Sequence, residues 1–184
     1  MRMTKRYPVL GLLAVAGLSI SGGIGVAAAD DDNGDGKRAK TVRTVGEDSF
    51  KPNEFVKSTL RFSPGRIRVR QGATVTWQDR DGSADPHTVT VLAEDDVPAT
   101  VEEVFTCGEP GGPCEPALSG HFPSETAPPV PVLNAGQPGL DTVGDSLFLA
   151  DGGEISAEIS APLSTTLNYV CAIHAWMQGS IKVR

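Results

Sequence analysis

The sequence predicts an all-β domain, a sandwich or a barrel built from about seven or eight short strands. Three observations favour this class. Segments that alternate apolar and polar residues recur along the chain, turns rich in Gly, Pro and Asp separate them, and we find no amphipathic helix of useful length. Short strands divided by turn signals are typical of both architectures, so the pattern alone does not choose between them.

The first 29 residues have the pattern of a secretory signal. Arg2, Lys5 and Arg6 precede an apolar run, and three alanines ending at Ala29 come before an acidic stretch. We expect cleavage after Ala29 and export to the periplasm, the cell surface or the medium. The alternative is an uncleaved anchor, but the Gly and Ser residues within the run make a poor permanent membrane span.

Removal of the signal leaves 155 residues with 13 basic and 23 acidic side chains, a net charge of −10. We do not expect so acidic an exported chain to bind nucleic acid or an anionic membrane. Residues 30–55 are polar and without periodicity, which predicts a flexible acidic leader. Residues 56–184 remain for one domain, which we expect to be monomeric.

The first strand signals lie in the stretch FSPGRIRVRQGATVTW. Ile67 and Val69 alternate with three arginines, which predicts one apolar and one basic face. After a Gln-Gly turn, Val75 and Trp77 alternate again, and we expect Trp77 in the core. The loop DRDGSADP leads to a further strand, HTVTVL, that opens with His87.

Residues 93–144 form a long insertion without convincing periodicity, and they hold most of the prolines. Loops of this length in a compact domain are usually functional or partly disordered. Cys107 and Cys114 flank GEPGGP, a sequence suited to a tight loop, and an oxidising compartment favours a disulfide between them. Cys171 is then the unpaired cysteine.

Charge is unevenly distributed between the insertion and the first strands. No Lys or Arg lies between Asp81 and Ile181, where 15 acidic residues fall. A solvated acidic surface is the simpler interpretation. The alternative is that the acidic insertion folds back onto the basic face of Arg66, Arg68 and Arg70.

Regular strand signals return after the insertion. DSLFLA and EISAEIS flank Asp151-Gly152-Gly153, which is typical of a hairpin turn. TTLNYVC predicts a strand that ends at Cys171, and GSIKVR predicts the last strand. Alternation along LNYVC places Cys171 on the face that points toward the core.

The stretch CAIHAWM, residues 171–177, concentrates rare metal-binding side chains. It holds the unpaired Cys171, His174 and Met177, the last being the only methionine outside the signal. Thiolate and imidazole bind copper, and a trigonal His₂Cys site with a long axial Met is a type 1 copper site. A second histidine is needed. His87, at the start of a strand, is the best candidate, and His121 in the insertion is the alternative.

Other chemistries fit these residue types less well. Structural zinc usually recruits more Cys or His and has little use for Met. Haem attachment requires a second Cys before the histidine. A nucleophilic Cys171 would leave Met177 without a role. We therefore expect one copper ion and no enzymatic activity.

These residues resemble the plastocyanin/azurin family of cupredoxins. The resemblance covers about residues 60–92 and 144–184, with the short C-x₂-H-x₂-M loop most similar to amicyanin. It implies a Greek-key β-sandwich with His87, Cys171, His174 and Met177 as copper ligands. The chain departs from the family in its long insertion and in two residues. Thr88 stands where an Asn often ties the two ligand loops together, and Ala175 stands where Pro is common.

The family's usual task implies one-electron transfer between redox partner proteins outside the cytoplasm. We expect His174, on the turn, to present an imidazole edge to solvent as the electron exit, with Ala175 and Trp176 as an apolar docking patch. One alternative function is copper storage or delivery. Another is a binding module or enzyme subunit that docks a partner through the insertion.

Overall fold

The computed structural model describes residues 40–184. The predicted signal, residues 1–29, and the first part of the predicted leader lie outside the described residues. The strands are β1 (Lys40–Val45), β2 (Asp48–Lys51), β3 (Phe55–Ser58), β4 (Arg61–Ser63), β5 (Arg66–Val69), β6 (Thr74–Gln78), β7 (His87–Leu92), β8 (Val132–Leu133), β9 (Ser146–Leu149), β10 (Glu154–Glu158), β11 (Thr166–Val170) and β12 (Gln178–Val183). The helices are α1 (Val101–Thr106) and α2 (Glu115–His121), with a 3₁₀ turn at Glu94–Asp96.

The strands form two main sheets and a small hairpin. Sheet I has the strand order β10-β6-β1-β4, sheet II the order β5-β12-β11-β7-β9-β8, and β2 pairs only with β3. Most pairs are antiparallel, but β1 pairs with β6 in parallel and β12 pairs with β5 in parallel. Most neighbouring strands in each sheet are not consecutive along the chain, which is how a Greek-key sandwich is connected. The predicted β-sandwich is confirmed.

The core lies between the inward faces of the two sheets. Trp77 from sheet I and Tyr169 from sheet II meet edge to face with ring centroids 6.0 Å apart, and Phe62 of β4 lies 5.0 Å from the same tyrosine ring. The alternation read from the sequence is confirmed at Ile67 and Val69, which are buried while their neighbours in β5 are exposed. Trp77 is fully buried, as expected.

The predicted leader is wrong for residues 40–55. Residues 40–45 form β1, an inner strand of sheet I that pairs with β6 on one side and β4 on the other. Val42 and Thr44 are buried, and the Thr44 hydroxyl donates to Oδ1 of Asp79 over 2.6 Å. The stretch looks polar because only two of the six side chains face the core, and sheet pairing supplies the rest of its stability.

The predicted hairpin at residues 151–153 is also wrong. The flanking strands, β9 and β10, belong to different sheets, since β9 pairs with β7 and β10 pairs with β6. The turn is instead a corner between the sheets. Gly152 adopts φ +62°, and its N–H donates to Oδ2 of Asp79 over 2.7 Å.

The insertion is more ordered than the sequence predicted. Helix α1 starts with a capping box in which Thr100 Oγ1 accepts from Glu103 N–H and the Glu103 carboxylate accepts from Thr100 N–H. The pKa of Glu103 is lowered by the backbone N–H groups of Ala99 and Thr100. A Thr-x-x-Glu pattern is the sequence signal that would have predicted this helix.

The predicted disulfide between Cys107 and Cys114 is present, and both residues are buried. The insertion contains β8, which pairs with β9 at one edge of sheet II, whereas β5 lies at the opposite edge. Arg66 and Arg68 of β5, and Arg70 just after it, are exposed to solvent. The alternative that the insertion folds onto them is therefore wrong.

Within residues 40–184, neither helix has the length and the apolar character needed to cross a membrane.

Candidate metal centre

Two neighbouring strands of sheet II bring the predicted ligands together. Strand β11 runs antiparallel to β7, with Val170 opposite Thr90. The residue after β11, Cys171, therefore comes next to the start of β7, where His87 lies. The loop to β12 adds His174 and Met177.

The two histidines face one sulfur atom. Sγ of Cys171 lies 3.7 Å from Nδ1 of His87 and 3.7 Å from Nδ1 of His174, and the two Nδ1 atoms are 3.3 Å apart. His87 and Cys171 are fully buried. The thiol and both imidazoles thus present one nitrogen or sulfur each to a common point, as a trigonal site requires.

Backbone hydrogen bonds close the ligand loop. Met177 N–H donates to His174 O over 2.8 Å, and Cys171 N–H donates to Met177 O over 2.9 Å. His174 N–H points at Sγ of Cys171 over 3.4 Å. Met177 is fully buried in the sandwich core with Cys171. The loop therefore returns the only methionine of residues 40–184 to the side of the thiol.

His87 is held from behind by a carboxylate. Its Nε2 lies 2.8 Å from Oδ2 of Asp81 and 3.9 Å from Oδ1 of Asp79. The close pair is an ion–dipole contact rather than a hydrogen bond of regular geometry, and neither atom has a hydrogen-bond partner among residues 40–184. A carboxylate at Nε2 favours a proton there and leaves Nδ1 free as a ligand.

Asp81 is suited to act as an anion at this position. Burial raises its pKa, but the Ser83 backbone N–H, the Ser83 and Thr44 hydroxyls and the charge of His87 together bring the pKa below its usual value. Asp79 has another role, because its two oxygens accept from Thr44 and Gly152. The role of Asp81 could not be predicted from the sequence, since a carboxylate in a loop gives no signal of its own.

His174 lies at the surface end of the site. It is buried but retains 8% exposure, whereas His87 is 0% exposed, so the solvent-facing edge expected for His174 is small. Burial and the neighbouring His87 lower the pKa of His174, with Asp85, Asp48 and Asp81 opposing them. A neutral imidazole has the lone pair that a metal needs.

Of the two residues predicted to form a docking patch, only Trp176 reaches the surface. Trp176 is 40% exposed, and its ring stands edge-on to that of His174 with centroids 5.2 Å apart. Ala175 is buried instead, because it packs under the insertion in a second apolar cluster.

Cys171 has the surroundings of a metal ligand rather than of a nucleophile. Burial raises the pKa of its thiol, although the N–H groups of Thr88 and His174 partly oppose this. A reactive cysteine needs a lowered pKa and some solvent access. A bound soft cation would displace the thiol proton even though the pKa is raised and the thiol is buried.

Thr88 ties the two ligand loops together. Its Oγ1 accepts from Ala172 N–H over 2.7 Å, and its own N–H points at Sγ of Cys171 over 3.3 Å. The residue that departs from the family pattern therefore links the two segments as the usual Asn is expected to do.

The insertion packs on the ligand loop from outside. The disulfide and Ala117 share an apolar cluster with Ala172 and Ala175 of the loop. Nε2 of Gln178 donates to Pro98 O over 2.6 Å and to Ala175 O over 3.3 Å. These contacts could not be predicted from the sequence, because they join segments about 55 to 80 residues apart.

His121, the alternative ligand, lies elsewhere. Its Nδ1 is 2.6 Å from Val130 O and its Nε2 is 2.7 Å from Oγ of Ser146, and the side chain is fully buried. The metal-binding cluster around Cys171 consists of His87, Cys171 and His174 in the described part of the chain.

No family model matches the sequence, and no curated protein is similar to it in sequence. Among the solved structures to which the chain is similar in outline are several cupredoxins. A purple cupredoxin from Nitrosopumilus maritimus has 14% identity and a TM-score of 0.42, over 79% of this chain and 99% of that one.

Two further solved structures give the same result. A reduced auracyanin from Roseiflexus castenholzii has 18% identity and a TM-score of 0.42, over 79% of this chain and 96% of that one. An oxidised plastocyanin from Dryopteris crassirhizoma has 19% identity and a TM-score of 0.38, over 78% and 99%. At these values the likeness concerns the fold in outline, and nothing about the site follows from it.

The donor atoms of the chain itself define the class of site. One buried thiol, two imidazole nitrogens that face it and one buried thioether are the ligand set of type 1 copper. On a two-sheet β-sandwich, this set of donor atoms fits one type 1 copper ion. Few hard oxygen donors face Cys171, so the set fits magnesium or calcium poorly.

Proposed function

We propose that this protein is an electron carrier that binds one type 1 copper ion through His87, Cys171, His174 and Met177. The observation that carries the proposal is the equal 3.7 Å spacing of both Nδ1 atoms from one buried Sγ. Copper bound there supplies one-electron chemistry by cycling between its two oxidation states. The residues of the chain supply the fixed positions around it.

A rigid ligand set suits electron transfer because little then has to move when the charge changes. His87 is anchored in β7 and held by Asp81, and Cys171 is held by the Thr88 backbone N–H. Met177 is tied to His174 by a backbone hydrogen bond. These contacts support a site that keeps one geometry in both states.

We infer that electrons pass through the surface end of the site. His174 is the ligand histidine with solvent exposure, and the half-exposed Trp176 stands beside it. Oδ2 of Asp85 lies 3.8 Å from Nε2 of His174, and Asp48 also acts on that ring. An aromatic surface with acidic neighbours favours a redox partner that carries positive charge at its contact face.

We also propose that the protein works outside the cytoplasm. The signal pattern of residues 1–29 and the disulfide between Cys107 and Cys114 support export. Its partner would be another exported redox protein. We propose no nucleophilic reaction at Cys171, because the thiol is fully buried and burial raises its pKa.

Copper storage or delivery is the alternative, and the exposed edge of His174 is the observation that favours it. The enclosure of His87, Cys171 and Met177 favours the carrier, because delivery requires ligands to exchange. The two functions differ in how readily copper leaves. A carrier keeps copper against a competing chelator in both oxidation states, whereas a delivery protein releases it quickly in one of them.

Addition of Cu(II) to the purified chain tests the proposal. We expect an intense visible band from thiolate-to-copper charge transfer, a reversible one-electron wave in voltammetry, and slow loss of copper to a chelator. A colourless complex would contradict the site. A coloured protein that gives up reduced copper within seconds would favour delivery.

A further inference from the structure

The outer face of β7, the face away from the sandwich core, carries two threonines. On a strand whose outer face met solvent, both would be exposed. His87, Val89 and Val91 alternate toward the sandwich core, so Thr88 and Thr90 point the other way. Both threonines are nevertheless fully or almost fully buried. Buried hydroxyls need hydrogen-bond partners, because an unpaired one costs about 1–3 kcal/mol.

Those partners form one continuous chain of hydrogen bonds that runs from the ligand loop to the insertion. Ala172 N–H donates to Thr88 Oγ1 over 2.7 Å. Hydroxyl contacts of 2.9 Å and 2.8 Å follow, from Thr88 to Thr90 and from Thr90 to Ser146. The last contact, of 2.7 Å, joins Ser146 Oγ to Nε2 of His121 in α2.

The insertion end of the chain fixes the tautomer of His121. Nδ1 lies 2.6 Å from Val130 O. A carbonyl oxygen only accepts hydrogen bonds, so Nδ1 carries the proton. In the neutral ring Nε2 then has a free lone pair and accepts from Ser146. Burial lowers the pKa of His121, although the Val130 carbonyl opposes this, which favours the neutral ring.

The His121 end fixes the direction of the remaining bonds. The single proton of Ser146 goes to Nε2 of His121, so Thr90 donates to Ser146 and Thr88 donates to Thr90. Ala172 N–H donates to Thr88, so in this arrangement each of the three hydroxyls donates once and accepts once. Without the acceptor at His121 this direction is no longer imposed, and the Thr88 hydroxyl is free to donate to Sγ of Cys171 instead.

The chain ends beside a ligand. Ala172 directly follows Cys171, and Thr88 directly follows His87 and also directs its N–H at Sγ of Cys171 over 3.3 Å. Hydrogen bonds that run in one direction polarise and strengthen one another. A contact that fixes the position of Thr88 therefore affects how both ligand loops hold the Cys171 thiol.

We propose that the insertion positions the ligand loop through this chain, with His121 as a positioning residue that is not itself a ligand. The acceptor that His121 offers to Ser146 sets the direction of the chain and so holds Ala172 next to Cys171. The effect on the copper site rests on the proposed function. The effect on the loop belongs to the copper-free protein as well.

Amide hydrogen exchange of copper-free protein, followed by NMR, tests the loop directly. His121→Phe keeps a ring but removes both hydrogen bonds, and Ser146→Ala removes the next member. In each variant we expect Ala172 N–H to exchange roughly five- to tenfold faster, the scale of one weakened hydrogen bond. Exchange in β1, on the other sheet, should change less.

The double variant and a conservative variant sharpen the test. If both residues act through one chain, His121→Phe with Ser146→Ala should affect Ala172 no more than either alone. His121→Gln, whose side-chain oxygen can accept from Ser146, should restore part of the protection. Phe122→Leu is the matched control, because Phe122 directly follows His121 and contacts Phe148 of β9, but its side chain takes no part in the hydrogen-bond chain.

Three results would overturn the proposal. They are unchanged exchange at Ala172 in both single variants, an equal increase at Ala172 and β1, and additive effects in the double variant. Should His121→Phe fail to fold, Ser146→Ala decides alone. With copper bound, the chain variants should shift the charge-transfer band and the reduction potential, while Phe122→Leu should not. Failure of copper to bind would refute the proposed function, and the exchange data would still test the role of the hydrogen-bond chain.

Discussion

His87 and His174 offer the same imidazole nitrogen to one thiol from opposite surroundings. Each Nδ1 is 3.7 Å from Sγ of Cys171. Yet His87 lies in a strand, has no solvent exposure and contacts the buried Asp81, whereas His174 lies in a turn, is 8% exposed and has the exposed Asp85 3.8 Å away. The two histidines therefore lie at equal distances from the sulfur but are held by different neighbours.

The difference separates two tasks. A ligand held from behind by a carboxylate fixes the metal geometry, and a ligand at the surface brings the metal within reach of a partner. The two flanking acids, Asp81 and Asp85, also differ in burial, and this changes how strongly each acts on its histidine. A carboxylate that is out of water acts strongly on its neighbour, while one in solvent is screened.

Removal of the shared thiol gives the largest expected effect. Cys171→Ser takes away the atom that both imidazoles face, so the charge-transfer band should disappear completely. The visible spectrum of copper-treated variant and parent measures this. Colour that survives in Cys171→Ser would mean that the two histidines converge on something other than a copper–thiolate bond.

Asp81→Asn and Asp85→Asn test the unequal support directly, since each removes one negative charge beside one histidine. For Asp81→Asn we expect Cu(II) affinity to fall roughly ten- to hundredfold, the usual scale for a residue that orients a ligand. The reduction potential should rise, because the lost negative charge stabilised Cu(II) more than Cu(I). Competition with a chelator and voltammetry measure the two effects.

Asp85→Asn is the matched control in that experiment. Its carboxylate is largely exposed and farther from the ring, so both quantities should change much less, and added salt should reduce the change further. Equal effects from the two substitutions would remove the distinction between a held and an exposed histidine.

Met177→Leu asks whether the two histidines and the thiol suffice to hold copper. The thioether is a weak axial ligand, so copper and colour should remain while the potential rises, since a group that stabilises the oxidised ion is lost. Absorption and voltammetry follow both. Complete loss of copper would show that Met177 is one of the main ligands.

Three of the four candidate ligands could be predicted from the sequence because their chemistry is rare and they lie close together in the chain. Cys171, His174 and Met177 fall within seven residues, and alternation in β11 points Cys171 inward. The sandwich followed from period-2 patterns such as Ile67 and Val69. These features depend on residue type and spacing, which a sequence shows directly.

What supports the ligands could not be predicted in this way. Asp81 contacts His87 only because a loop folds behind β7, and Thr88, Ser146 and His121 are joined by pairing and packing across many residues. Strand β1 was missed because its stability comes from two neighbouring strands rather than from its own composition. Helix α1 was missed although its capping box is visible in the sequence, since six residues are too few for a periodic pattern.

His121 gives the last and smallest test, because it shows what burial does to a histidine that has a carbonyl and a hydroxyl as partners instead of a carboxylate. Burial lowers its pKa in the folded chain, while in the unfolded chain it should be near 6.5. As the pH falls below that value, the unfolded state takes up a proton that the folded state does not, so the free energy of unfolding falls.

His121→Gln removes this loss, which is at most about 1.4 kcal/mol per pH unit. Urea unfolding of copper-free parent and variant from pH 8 to pH 5 measures it, with the other histidines common to both and Phe122→Leu as a control that should keep the parent's slope. Identical slopes for parent and His121→Gln would show that His121 titrates in the fold as it does in the unfolded chain.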